Sequence, residues 1–407
     1  MRQAIPIVPL ATLVAGTKGR GAHASAAHRF EKWEREACDD GWWSDAGTRD
    51  PTATGAVNSE DQVPEVAAPA LPRTEVMRES ARSILTRNTS PDIGFEVSIN
   101  PYRGCEHGCS YCYARPTHAY LDLSPGLDFE TRIVAKMNAA ALLRQAFDRP
   151  GYVARPLALG TVTDAYQPVE RRLRLTRDVV EVLAQYRHAF AIVTKSALVE
   201  RDLDLIAPMA AQQLAAVHIS LTTLDEALAR RLEPRAASPR RRLQTIERLA
   251  RSGVPVGVSV SPLIPFLNEP ELETILQAAA QAGASTAFSV VLRLPWELAP
   301  LFREWLQRHV PDRAQRIMAR VQDMRGGRDN DPRFGTRMTG QGPWAALMRQ
   351  RFEVAARRHG LLGQRVPLDL SAFRRATQPP LHEPAPAGPR KNPVDLRASS
   401  PGQAELF

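Results

Sequence analysis

The stretch Ile99-Asn100-Pro101-Tyr102-Arg103-Gly104-Cys105-Glu106-His107-Gly108-Cys109-Ser110-Tyr111-Cys112-Tyr113 decides how the whole chain folds and what chemistry it can hold. Three thiols at C-x3-C-x2-C follow directly on Phe95–Asn100, a short apolar run of strand length. Three soft, anionic sulfurs on one tight loop can hold three irons of a four-iron cluster and leave the fourth open. Zinc sites usually take four protein ligands, often as two separated pairs. His107 is the candidate for a fourth, and its place inside the same loop makes a tetrahedral position awkward. Cys105, Cys109 and Cys112 are three of only four cysteines in 407 residues, too few for a disulfide framework. Their crowding argues for a metal site in a reducing compartment.

Outward from this loop, short apolar runs alternate with helical patterns. The predicted strands are Phe95–Asn100, Leu157–Val162, Phe190–Thr194, Ala215–Leu221, Val256–Val260 and Ala287–Leu292. Helical periodicity falls at Glu130–Phe147, Leu173–Tyr186, Arg201–Gln212, Pro239–Ser252 and Glu269–Ala282. The fourth has Ser238 as N-cap, proline at the first helical position and Gly253 at its end. Repeated strand–helix alternation implies an α/β fold with a parallel sheet. Six units suit an incomplete (β/α)6 barrel, although a doubly wound open sheet has the same one-dimensional signature. The expected organisation is a largely irregular segment over 1–90, the partial barrel over 91–295, a helical extension over 296–376 and a disordered tail over 377–407. The extension surrounds a Gly/Arg-rich loop, Arg325–Gly342, and Asp39–Trp43 is expected to dock an aromatic knot onto the body.

The formal charge is +9, carried almost wholly by arginine, because the only lysines are Lys18, Lys32, Lys136, Lys195 and Lys391. Excess arginine suits phosphate contacts, and a genome that favours arginine codons gives the same bias. Glu233-Pro234-Arg235 with Arg240–Arg242 reads either as a loop that meets phosphate or as a solvated helix start. No run of about eighteen apolar residues exists, so no membrane span is expected. Ala4–Gly16 mimics a secretory signal, but two prolines interrupt it and an oxygen-sensitive cluster fares badly outside the cell. A cytoplasmic location follows.

The spacing of the three cysteines, with the aromatic Tyr111 before the third, resembles the radical S-adenosylmethionine superfamily. Cys112-Tyr113, Thr163-Asp164, Thr194-Lys195-Ser196 and Ser220 narrow the resemblance to its spore photoproduct lyase branch. SPDIGFEVSINPYRGCEHGCSYCYARPTHAYLDLSPGLDFET and EPRAASPRRRL are similar to one bacterial subgroup of that branch. This resemblance spans roughly residues 80 to 360. It implies a radical-type partial barrel whose [4Fe–4S] cluster chelates S-adenosylmethionine at the open iron. It also implies a flavodoxin- or ferredoxin-like electron donor. Lys195, ending an apolar strand, is then the residue to neutralise the cofactor's carboxylate; a solvated strand end is the alternative. Ser220 is expected to bond the same carboxylate or the ribose. Tyr111 and Tyr113 are expected beside the adenine or the cluster, with core packing as the alternative. Many superfamily members carry Gly-Gly-Glu after the second strand, where this chain has Thr163-Asp164-Ala165. Thr163 or Asp164 is therefore expected to take the cofactor's amino group, or to cap the next helix. Spore photoproduct lyases also carry a hydrogen-donating cysteine near the second strand. Leu159–Thr163 has none, and the one spare is Cys38.

The chain ends Gln403-Ala404-Glu405-Leu406-Phe407, which looks like the bacterial sliding-clamp peptide. Gln403, Leu406 and Phe407 are its expected anchors. The leading expectation is radical repair or modification of DNA. RNA or protein modification, or a non-catalytic iron–sulfur or zinc module, are the rivals.

Overall fold

The structure, a computed structural model, describes residues 19–30, 73–362 and 368–375. Ten strands occur among them, in chain order β1 (Glu75–Glu79), β2 (Leu85–Arg87), β3 (Val97–Ile99), β4 (Tyr102–Arg103), β5 (Arg132–Lys136), β6 (Leu157–Leu159), β7 (Phe190–Thr194), β8 (Ala215–Ser220), β9 (Val256–Leu263) and β10 (Thr286–Val291). The main sheet has the order β10-β9-β8-β7-β6-β3-β2. The six strands from β3 to β10 in that sheet run parallel, and β2 joins the edge antiparallel. Each parallel strand lies beside its predecessor, so the order never reverses. A doubly wound sheet must reverse at a switch point; this singly wound, open sheet is the partial-barrel arrangement. All six predicted strands are present, within a few residues.

Buried Leu159, Ile192, Val217 and Val258 share one core with Val180, Ile206, Ile246 and Ile275, which come from the intervening helices. Those helices run Leu175–Gln185, Leu203–Ala210, Pro239–Arg251 and Leu272–Gln281. Ser238 does cap the third of them, accepting the Arg241 amide at 3.3 Å. A second core brings Phe302, Trp305 and Ile317 of helices Leu298–His309 and Pro311–Asp323 against Cys109 and Tyr111. The helical extension therefore walls one side of the cysteine loop.

Two expectations fail. The run expected as one helix over Glu130–Phe147 is a short helix, strand β5 and then helix Ala139–Asp148. Strand β1, in the stretch expected to be irregular, pairs with β5 in parallel from Glu75↔Arg132 to Glu79↔Lys136. Ile133-Val134-Ala135 is too short a run for periodicity to separate helix from strand, so a partner distant in sequence decides it. The Gly/Arg-rich loop also has a structural task. Buried Arg325 donates to the carbonyls of Val291, Leu292, Thr336 and Arg337, and the Val291 amide donates to Met338 at 3.0 Å. The loop thus covers the end of β10. Cys38, Asp39–Trp43 and Gln403–Phe407 lie outside the described residues.

Candidate cofactor site

Parallel strands deliver their C-terminal ends to one edge of the sheet, where such folds place their chemistry. Cys105, Thr163-Asp164, Lys195, Ser220 and Arg293 all stand at or just past those ends.

The cysteine loop is held from several directions. The Cys105 amide donates to Phe129 O at 2.8 Å, Ser110 N to Leu232 O at 2.9 Å and Cys112 N to Cys109 O at 3.3 Å. Buried Gln167 accepts from Glu106 N at 2.9 Å and donates to Gly104 O at 3.1 Å. Below the loop lies a fully buried ion pair, Arg115–Glu130. Arg115 also donates to Cys109 O at 2.8 Å and to the carbonyls of Pro125 and Gly126. The Glu130 carboxylate receives the amides of Gly21 at 3.0 Å and Ala22 at 2.8 Å, and Arg20 donates to Glu130 O. Residues 19–30 are thereby strapped to the underside of the cysteine loop. The approach is so close that a Cβ on Gly21 would lie 1.6 Å from Gly108 O.

The donor set fits an iron–sulfur cluster. Cys105 and Cys109 are buried, and burial pushes both thiols up, Cys109 to about 12. Each also feels the charge of a neighbouring cysteine. Metal binding must therefore displace protons and relieve the repulsion. His107 is buried with Nδ1 3.3 Å from Asp164 Oδ2.

The expected cofactor residues divide into two groups. Lys195 and Ser220 meet, as the pairing Thr194↔Ile219 of β7 and β8 dictates, with Nζ donating to Oγ at 3.4 Å. Burial works against the Lys195 charge, but Cys109 and Glu233 outweigh it and hold its pKa above the usual lysine range. Its Nζ lies 5.7 Å from the Tyr111 ring centre. Tyr113, 42% exposed, faces the open side with its hydroxyl bonded to Thr161 O. Three other residues are spent on internal bonds. Thr163 Oγ donates to Gly104 O at 2.6 Å. Asp164 receives the Tyr166 amide, the Thr194 hydroxyl and the Lys195 amide. Burial opposes its charge, but His107 and these donors keep it ionised well below the usual carboxylate range. Asp164 thus fixes the β7 end that presents Lys195. Tyr111 is packed in the core, its hydroxyl bonded to Thr222 and Glu233.

The basic loop is also resolved. Arg242 is fully buried against Glu233, Arg241 pairs with Glu200, and Arg235 reaches Glu106 at 3.2 Å. Burial opposes the Glu233 charge, but Arg242 and Lys195 bring its pKa down to about 2. Arg242 and Glu233 are thus part of the buried wall of the site, while Arg240 stays exposed at the helix start. Sequence reasoning missed Glu130, Arg115, Gln167 and the Glu233–Arg242 pair. Charged residues almost never lie fully buried unless paired, and the sequence alone does not show the pairing.

Residues 99–279 match the Radical SAM superfamily. An uncharacterised protein of Mycobacterium tuberculosis is 39% identical over 224 residues, 54% of this chain and 66% of the relative. The match thus spans slightly less than two thirds of that relative. An uncharacterised protein of Methanocaldococcus jannaschii is 27% identical over 201 residues, 49% of this chain and 71% of the relative. A variant of spore photoproduct lyase has a similar fold, with TM-score 0.50 at 15% identity, covering 70% of this chain and 80% of that one.

Proposed function

This chain belongs to the radical S-adenosylmethionine superfamily, and from that premise we propose that it performs radical repair or modification of DNA. The observation that carries the radical part is the C-x3-C-x2-C loop set at the C-terminal edge of a singly wound parallel sheet. Cys105, Cys109 and Cys112 would hold a [4Fe–4S] cluster, leaving one iron for S-adenosylmethionine. Such a cluster would supply the one electron for cleaving S-adenosylmethionine to methionine and a 5′-deoxyadenosyl radical, the species that would take hydrogen from a substrate. The protein's part is to bind, orient and exclude water. Lys195, whose Nζ meets Ser220 Oγ at 3.4 Å, would with Ser220 receive the cofactor's carboxylate. Tyr113 offers an exposed ring for the adenine on the open side. Tyr111, Glu233 and Arg242 form the buried wall behind them.

Replacing Lys195 with Ala is expected to leave iron content unchanged and to weaken S-adenosylmethionine ten- to a hundred-fold. A lost charge-assisted contact is worth roughly 1.5–3 kcal/mol. Equilibrium dialysis measures it, and an unchanged dissociation constant returns Lys195 to a strand-end role.

The DNA part draws support from the arginine-rich charge and the terminal peptide, and a spore photoproduct lyase variant of similar fold carries dinucleoside spore photoproduct. The relative's second-strand cysteine has no counterpart here, and the described residues hold only the three loop cysteines. We propose that hydrogen is returned by another route, for which Cys38, outside the described residues, is the one spare cysteine. Anaerobic turnover with deuterated DNA tests the reading: deuterium should appear in 5′-deoxyadenosine. Deuterium arriving only from labelled RNA or protein would reassign the substrate. If Gln403, Leu406 and Phe407 anchor a sliding clamp, the ten-residue tail peptide should bind purified clamp at roughly micromolar affinity. Equal clamp retention by full-length and tail-truncated protein would remove that partner. Among the described residues no helix is long and apolar enough to cross a membrane. A cytoplasmic place, beside a flavodoxin- or ferredoxin-like donor, is part of the same proposal.

A further inference from the structure

Arg293 sits just beyond β10, at the edge of the sheet that carries the cysteine loop. Its guanidinium stands 5.5 Å from the centre of the exposed Tyr113 ring. Arginines around it are committed. Arg337 is held two-pronged by Asp92 at 2.6 and 2.8 Å, Arg325 is spent on four carbonyls, and Arg242 is paired with Glu233. Arg293 has no carboxylate within ion-pair distance among the described residues. One nitrogen approaches Met338 Sδ at 3.7 Å, and its buried Nε has no hydrogen-bond partner. Burial lowers its pKa and the neighbouring Arg337 lowers it further, while Tyr113 and Asp92 act the other way. A half-buried cation left in this state is costly unless something anionic completes it.

The surroundings indicate which anion. Lys195 already stands beside Cys109 for the cofactor's carboxylate, whereas Arg293 lies on the Tyr113 side. Next to Arg293, the Arg337 guanidinium lies 4.6 Å from the ring of Phe334, which is 53% exposed. An uncommitted arginine near an accessible aromatic ring makes a pattern that receives nucleotides: the guanidinium fork matches phosphate oxygens, and the ring stacks a base. We infer that Arg293 binds a backbone phosphate of a single-stranded or extruded nucleic-acid substrate at the mouth of the site, with Phe334 as a stacking face. This rests on the nucleic-acid reading above and names the residue by which the substrate is held.

The test is fluorescence anisotropy of a labelled single-stranded DNA oligonucleotide with the full, anaerobically reconstituted chain over a series of salt concentrations. R293Q is expected to bind about ten-fold more weakly. The slope of log affinity against log salt should fall by about 0.7, the value for one lost phosphate contact on a single strand. R293K should keep the slope and lose part of the affinity, because the charge stays and the fork is gone. Iron content and S-adenosylmethionine affinity should be unchanged in both variants, which also establishes that they fold. If wild-type protein binds the oligonucleotide and R293Q matches it in affinity and slope, the assignment of Arg293 is overturned while the DNA reading stands. If R293Q loses S-adenosylmethionine affinity instead, the anion is the cofactor's carboxylate and the inference is overturned. If wild-type protein binds no oligonucleotide, the DNA reading falls and the inference falls with it.

Discussion

Replacing Glu130 with Ala is expected to destabilise the protein by about 3–5 kcal/mol and to empty the cluster site. Both Glu130 and Arg115 are essentially inaccessible to water. Removing one partner of such a pair leaves an uncompensated buried charge, which costs far more than the pair contributes intact. Three further groups lose their anchor at the same time: the amides of Gly21 and Ala22, and the arm of Arg115 that fixes the Cys109 carbonyl. The melting temperature of the metal-free protein and iron per chain after reconstitution should both fall. Gly21→Ala should act in the same direction through a different cause. Its new methyl would lie 1.6 Å from the Gly108 carbonyl oxygen, so backbone on one side of the contact must shift. Wild-type melting and iron content in both variants would show that residues 19–30 merely rest on the cysteine loop.

The parts of this site that were legible in the sequence are those fixed by local pattern. Three thiols at close spacing announce soft-metal chemistry whatever surrounds them. Short apolar runs such as Phe190–Thr194 and Ala215–Ser220 announce buried parallel strands. Lys195 and Ser220 were read from the family resemblance, and the register of β7 and β8 brings the two together. Long-range pairing was not legible. Strand β5 owes its form to β1, over fifty residues earlier, and Glu130 owes its burial to Arg115 and to residues 20–22. Thr163 and Asp164 showed their chemistry in the sequence but not their partners. The structure turns Thr163 to Gly104 O, and Asp164 to Thr194, Lys195 and Tyr166. Arg235 with Arg240–Arg242 read either as a phosphate-facing loop or as a solvated helix start, and the sequence did not show that Glu106, Glu200 and Glu233 pair with Arg235, Arg241 and Arg242.

The central claim is that Cys105, Cys109 and Cys112 alone hold a four-iron cluster that cleaves S-adenosylmethionine. Its most direct measurement compares wild type, Cys109→Ala and Cys38→Ala after anaerobic reconstitution, scoring iron and sulfide per chain, the spin signal after reduction and 5′-deoxyadenosine formed. Cys109 is buried in the cysteine loop, so losing its sulfur should remove one of the three ligands the account requires. Wild type and Cys38→Ala should each hold about four irons and release 5′-deoxyadenosine. Cys109→Ala should lose the spin signal and all cleavage. Equal loss from Cys38→Ala and Cys109→Ala, or a wild-type protein that takes up a single metal ion and leaves S-adenosylmethionine intact, would contradict the account.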